Sequence, residues 1–141
     1  ASDVYKRQID AGEKVIMLGD FNNPSPYDAE RANNHAAALE IRRNERAAHI
    51  ENIRDGYFDF TCMNNLLNAG LEEVCYGWMK RNNYDPKIGL RIDMAFVTRN
   101  LLPDITGAFV DTRERELFET VSDHYPVILT LKNPKNEEIQ K

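Results

Sequence analysis

The apolar positions of this chain fall into short, sharply bounded runs. Val15-Ile16-Met17-Leu18 is apolar and ends in Gly19-Asp20, ahead of the turn signal Asn22-Asn23-Pro24. It reads as a buried strand that delivers Asp20 at its C-terminal end. Pro24 and Pro26 exclude a helix from the residues that follow, which predicts a loop over the strand ends, where sites are commonly built. From Asp28 to about Asn52 the chain is rich in Ala, Glu and Arg, without Pro or Gly, which predicts one long helix or two short ones. Asp28 is read as its N-cap and Asp55-Gly56 as its stop. Ala36, Leu39, Arg43, Ala47 and Ile50 recur at helical steps and form an inward stripe, leaving Arg42, Glu45 and Arg46 to water.

A second helix is predicted from Phe58 to Ala69, with Phe60, Met63, Leu66 and Leu67 as its apolar set and Gly70 just past its end. The stretch from Gly70 to Gly89 is polar, aromatic and turn-rich, and leads into a strand, Arg91-Ile92-Asp93-Met94-Ala95-Phe96-Val97-Thr98. Residues 106–112 are strand-like, the charged residues 112–119 suit an exposed loop or a short helix, and Tyr125 to Lys132 is a strong final strand. The order strand, helix, helix, strand, strand, strand suits an α/β (α+β) domain, a mostly antiparallel or mixed sheet with helices on one face. Such a sheet has a second face to cover, so native sequence is expected upstream. Residues 1–8 are read as a non-native or disordered leader, because SDVYKRQ resembles translated library-adapter sequence. Residues 9–132 form the domain, and 133–141 a flexible tail.

Composition narrows the function classes. The chain of 141 residues is 42% hydrophobic, enough for a core, and has no apolar run approaching the roughly 18 residues of a membrane span. A formal net charge of −5 argues against a surface that grips nucleic acid by neutralising phosphates, while leaving short-range chemistry on phosphate esters open. Cys62 and Cys75 lack the spacing of a zinc site and are read as buried apolar fillers. His35 and His49 have no partner at metal-ligand spacing and are read as surface or packing residues.

Three segments place an acid or an imidazole at the end of an apolar strand: Gly19-Asp20-Phe21-Asn22, Arg91-Ile92-Asp93 and Ser122-Asp123-His124. Asp20 and Asp93 abut sequence expected to be buried, where a carboxylate needs a metal, a histidine or hydrogen bonds. Hydrolysis of a phosphate ester requires an activated water, a cation beside the phosphoryl oxygens and stabilisation of the leaving alkoxide. Asp20 suits the first task; Asn22, Arg91 and His124 suit substrate contact; and His124 suits proton transfer, with Asp93 fixing its tautomer. Asp123 suits Mg2+ or Mn2+, which take hard oxygen ligands. Ser122 is discounted as a nucleophile, since no nucleophile elbow surrounds it. Tyr76, Trp78 and Tyr84 are read either as a substrate-facing aromatic loop or as packing on the sheet.

In that order, GDFN, RID-hydrophobic-x-F and SDHYPV resemble the last three signature motifs of the endonuclease/exonuclease/phosphatase superfamily, over about Val15 to Leu131. The resemblance implies the C-terminal half of a four-layer β-sandwich flanked by helices, with the site at one edge. It implies a metal-dependent hydrolase of phosphomonoesters or phosphodiesters, acting on a sugar phosphate, lipid head group, nucleotide or nucleic acid. It also implies roles for Asp20 and Asn22 in orienting water and contacting phosphate, an Asp93–His124 pair, and Asp123 beside the metal. The family's upstream asparagine and glutamate ligands have no counterpart before Asp20, so the missing N-terminal half is an expected partner and this chain alone is expected to bind metal poorly. Two rivals remain. A calcineurin-type metallophosphatase would need a downstream GNH[DE] motif that is absent. A non-catalytic binding module, or pseudo-enzyme, would keep the fold without magnesium-dependent turnover.

Overall fold

The computed structural model describes residues 2–45 and 52–133. Its elements are α1 (Ser2–Asp10), β1 (Ile16–Asp20), α2 (Ala29–Glu45), β2 (Ile53–Arg54), β3 (Tyr57–Phe58), α3 (Thr61–Asn68), β4 (Leu71–Glu73), α4 (Val74–Arg81), β5 (Asp93–Thr98), β6 (Ile105–Val110), α5 (Arg115–Val121) and β7 (Val127–Leu131). All strand pairs are antiparallel, which makes this an α+β fold. Rather than one sheet with helices on one face, the strands form three small sheets: β1-β5-β4, the hairpin β2-β3 and the hairpin β6-β7.

Strand β5 is central because its residues Met94 to Thr98 are buried on both faces. Met94 and Phe96 pack with Met63 and Leu66 of α3 and with Leu71. Ala95 and Val97 turn the other way, toward Val74, Cys75 and Met79 of α4, Leu101 and Ala108 of β6. Alternation along a strand sends successive side chains to opposite faces, and both faces here meet apolar helices.

Several expectations need correction. Strand β1 is not buried: it is an edge strand, and its Ile16 and Leu18 are 43% and 53% exposed. Asp55-Gly56 does not stop a helix. Both residues have positive φ, and they turn the β2-β3 hairpin, a conformation that Asp-Gly favours because glycine pays no steric penalty there. The second helix begins at Thr61 rather than Phe58, since Tyr57 and Phe58 are taken into that hairpin. The carboxylate of Asp28 accepts from Arg91 Nε, and Pro26 to Asp28 form a 3-10 turn capped by Ser25, where a leading proline is tolerated.

Residues 71–81, expected to be turn-rich, hold β4 and α4. Residues 2–8, read as part of a leader, belong to α1, which continues to Asp10 and whose Tyr5 and Ile9 pack beside Met17 and Phe21. Cys75 is buried as expected, but Cys62 is exposed, and both are free thiols. In the expected inward stripe of α2, Ala36 is fully buried and Leu39 packs against Ala32, Ile53 and Phe58, while Ala47 and Ile50 lie outside the described residues. Arg46, His49 and most of the expected tail lie outside them too; His35 is exposed. Among the described residues no helix is long and apolar enough to cross a membrane.

Candidate functional site

Asp20 ends β1 and Asp93 begins β5, and antiparallel pairing makes them direct cross-strand partners. Two carboxylates placed opposite each other on one face repel, so this register is unfavourable unless something positive or proton-donating stands between them. His124 does. Its Nδ1 lies 2.9 Å from Asp93 Oδ2, and its Nε2 lies 3.8 Å from Asp20 Oδ2. An ionised carboxylate only accepts, so Nδ1 carries a proton and donates it to Asp93. Nε2 is then the working end of the ring, an acceptor when neutral and a donor when charged. Candidate ligand atoms of Asp20, Asp93 and His124 all lie within 4.8 Å of one another.

The sequence around each residue holds this arrangement. Gly19 has φ of +141°, a conformation that side chains rarely adopt, and it precedes Asp20 directly. Asp20 Oδ1 accepts from Asn22 N at 2.7 Å, closing an Asx turn that leaves Asn22 at φ +51°. Beyond the paired carboxylates, Phe21 N donates to Ile92 O at 2.9 Å. His124 arrives from the loop between α5 and β7, where its backbone N–H donates to Ser122 Oγ at 3.0 Å. Ser122 therefore shapes the turn that presents the imidazole. Arg115 steadies the same loop: it donates to the Tyr125 hydroxyl at 2.6 Å and to the carbonyls of Pro86 and Lys87. That hydroxyl in turn bonds Glu119. This anchor was not legible in the charged stretch of residues 112–119, read only as loop or short helix. The sole signal is the alternating charge of Arg113-Glu114-Arg115-Glu116 upstream of the histidine.

The electrostatics are lopsided. Asp93, through its hydrogen bond and then its charge, raises the His124 pKa above the ordinary 6.5; slight burial opposes this, and Asp20 and Asp123 add to it. Asp123 Oδ1 lies 3.9 Å from His124 Nε2, but its side chain is 97% exposed. Among the described residues neither Asp20 nor Asp123 pairs with a lysine or arginine. Asp20, Asp93 and Asp123 thus bring more negative charge than one imidazole balances. The candidate ligand atoms that converge are those of Asp20, Asp93 and His124, with Asp123 outside that group, and carboxylate and imidazole are ligand types that a divalent cation can take. Magnesium prefers about six oxygen ligands, so these groups alone would leave most positions to water, substrate or other residues.

Arg91 is not part of this group. Its side chain is 1% exposed and donates from Nη1 and Nη2 to both oxygens of Glu73, at 3.0 and 2.9 Å, while Nε donates to Asp28 at 2.7 Å. Burial opposes its charge, yet Glu73 and Asp28 outweigh that and raise its pKa. Expected at the substrate, Arg91 is instead a buried tie with its donors spent on two carboxylates. Glu73, which the sequence reading missed, also caps α4 by accepting from Cys75 N and Tyr76 N. Of the two readings of the aromatic residues, packing describes Trp78 and Tyr84: Trp78 stacks on Phe109 at 5.0 Å, and Tyr84 meets Phe109 edge-on and donates to Val110 O. Tyr76 pairs with Tyr27 beside a cavity of about 460 Å³ whose lining includes none of Asp20, Asp93 and His124. Compared with family models, with curated proteins and with solved structures, the chain gives no match.

Proposed function

We propose that the Asp20–Asp93–His124 edge belongs to a metal-dependent hydrolase of phosphomonoesters or phosphodiesters. The observation that carries this reading is the imidazole standing between two register-paired carboxylates, with Nδ1 bonded to Asp93 and Nε2 turned toward Asp20 and Asp123. In it, Asp20 orients the attacking water and takes its proton as the new P–O bond forms. His124, oriented by Asp93 and entering the step as the charged imidazolium, gives its Nε2 proton to the leaving alkoxide as the old P–O bond breaks and is left neutral. Asn22, exposed at the turn, contacts a non-bridging oxygen. A divalent cation held by Asp20 and Asp123 would offset charge on the phosphoryl oxygens.

The reading includes an upstream segment of the same domain that supplies further ligands and covers the open Ile16 and Leu18 face of β1. The resemblance of the three ordered motifs to the endonuclease/exonuclease/phosphatase superfamily supports it.

The test is hydrolysis of bis-p-nitrophenyl phosphate and p-nitrophenyl phosphate by the protein extended upstream at its source locus, with Mg2+ or Mn2+. Asp20→Asn and His124→Ala should each lower turnover by about 10²–10⁴-fold, the usual worth of a proton-transfer group. Metal-dependent turnover unchanged in both variants would show that the site lies elsewhere. No turnover in the parent protein would favour the non-catalytic binding module.

A further inference from the structure

The turn after Asp20 decides which of its carboxylate oxygens faces the imidazole. Asn22 N donates to Asp20 Oδ1 at 2.7 Å, and the other oxygen, Oδ2, is the one that lies 3.8 Å from His124 Nε2. The donor sits in an awkward place. Asn22 is exposed and has φ of +51°, a left-handed conformation that asparagine tolerates but does not prefer, and at an exposed turn water competes for the hydrogen bond. The residues that follow are secure, since Asn23, Pro24 and Ser25 are all buried. The loose point of the turn is therefore Asn22 itself.

A distant side chain meets it there. Asn52, half-buried just before β2, donates from Nδ2 to Asn22 O at 2.9 Å across 30 positions of sequence. Both main-chain polar groups of Asn22 are then held, the N–H by Asp20 and the carbonyl by Asn52. Two neighbours fix the orientation of the Asn52 amide. A carbonyl only accepts and a guanidinium only donates, and Arg43 of α2 donates from Nη1 to Asn52 Oδ1 at 3.4 Å, so both contacts demand the same placing of oxygen and nitrogen. Asn52 also stands on a firm base. Asp59 N donates to Asn52 O at 2.8 Å, one step beyond the Ile53–Phe58 pair of the β2-β3 hairpin, and Asn23 Nδ2 donates to Asp59 O at 3.2 Å. Asn22 and Asn23 are thus fastened to two facing residues at the base of one hairpin.

We infer that Asn52 is a positioning residue for the site: its amide, aligned by Arg43, holds the Asn22 carbonyl and thereby keeps Asp20 Oδ1 occupied and Oδ2 turned toward His124. The consequence for catalysis rests on the hydrolase reading; the clamp on the turn does not.

The experiment is water–amide exchange NMR on the full chain, comparing the Asn22 N–H with the amides of Met94 to Val97 in β5. Asn52→Ala and Asn52→Asp both delete the donor. The second keeps the shape of the side chain and an acceptor for Arg43, so it still reads the clamp where alanine unsettles the hairpin. Each should speed Asn22 exchange about fivefold or more, the worth of one ordinary hydrogen bond, with β5 unchanged. In an Asp20→Ala background, which removes the acceptor of the Asn22 N–H, Asn52→Ala should add nothing, because the two residues act through one turn. Unchanged Asn22 exchange in both variants, a rise shared by β5 in Asn52→Asp, or full additivity with Asp20→Ala would overturn the inference. Catalysis is read separately in the protein extended upstream, where both variants should lower kcat for bis-p-nitrophenyl phosphate about fivefold or more. Faster Asn22 exchange with kcat unchanged would overturn the positioning role. Faster exchange with no turnover in the parent would sink the hydrolase reading and leave the clamp standing.

Discussion

His124 shows how one residue carries the site's electrostatics. Its pKa is raised in the folded protein, chiefly by the hydrogen bond to Asp93, so folding and protonation favour each other. That contribution is fully present below the ordinary value of 6.5 and is lost as pH rises through the higher folded value. Asp93→Asn should therefore lower the His124 midpoint toward its ordinary value in an NMR titration. The stability gap between parent and variant should be larger near about pH 5.5 than near about pH 9. An unmoved midpoint would separate the two residues. The two thiols give a second test at this scale. Burial first, and Glu73 next, push the Cys75 pKa up to about 12, while Cys62 is exposed on α3. Because the thiolate is the reactive form, iodoacetamide at about pH 8 should modify Cys62 alone in the native protein. Two adducts without denaturant would contradict the packing of Cys75.

Between elements, the buried Arg91–Glu73–Asp28 network joins the approach to β5, the start of α4 and the entry to α2. Arg91→Met removes the cation and leaves Glu73 charged and buried, so urea unfolding should show a loss of about 3–5 kcal/mol. A loss under about 1 kcal/mol would mean that Glu73 is adequately held by its capping bonds. Gly19→Ala meets no atom within 4 Å, so its cost, about 1–3 kcal/mol, should come from the +141° φ alone. A neutral result would show that the strand relaxes there. The same elements show what sequence could convey. Strands β5 and β7 were legible because their runs are apolar and β-branched, and α3 because its apolar spacing and Gly70 agree. The exposure of β1 was not, since an edge strand and a central one share composition and differ only in their neighbours. Helix α4 hid in a stretch mixing aromatics, glycine and charge, and with it went Glu73, the partner that makes Arg91 structural. The two-residue strands of the Asp55-Gly56 hairpin are too short to show alternation.

At the scale of the molecule, three antiparallel sheets and their helices bring Asp20, Asp93 and His124, distant in sequence, to one open edge. The strand-end pattern of acids and histidine was enough to nominate these three together. It could not tell Asp123, almost wholly exposed, from a residue turned inward, because adjacent positions in a turn share no fixed direction. Under the proposed function, this edge accepts a divalent cation beside His124. The most direct measurement is paramagnetic broadening of backbone amide signals on adding substoichiometric Mn2+ to this chain. Selective loss of the Asp20, Asp123 and His124 signals, reversed by excess Mg2+ and weakened in Asp123→Asn, is the predicted result. Broadening spread evenly over the exposed acids, Glu114 and Glu116 among them, would contradict it.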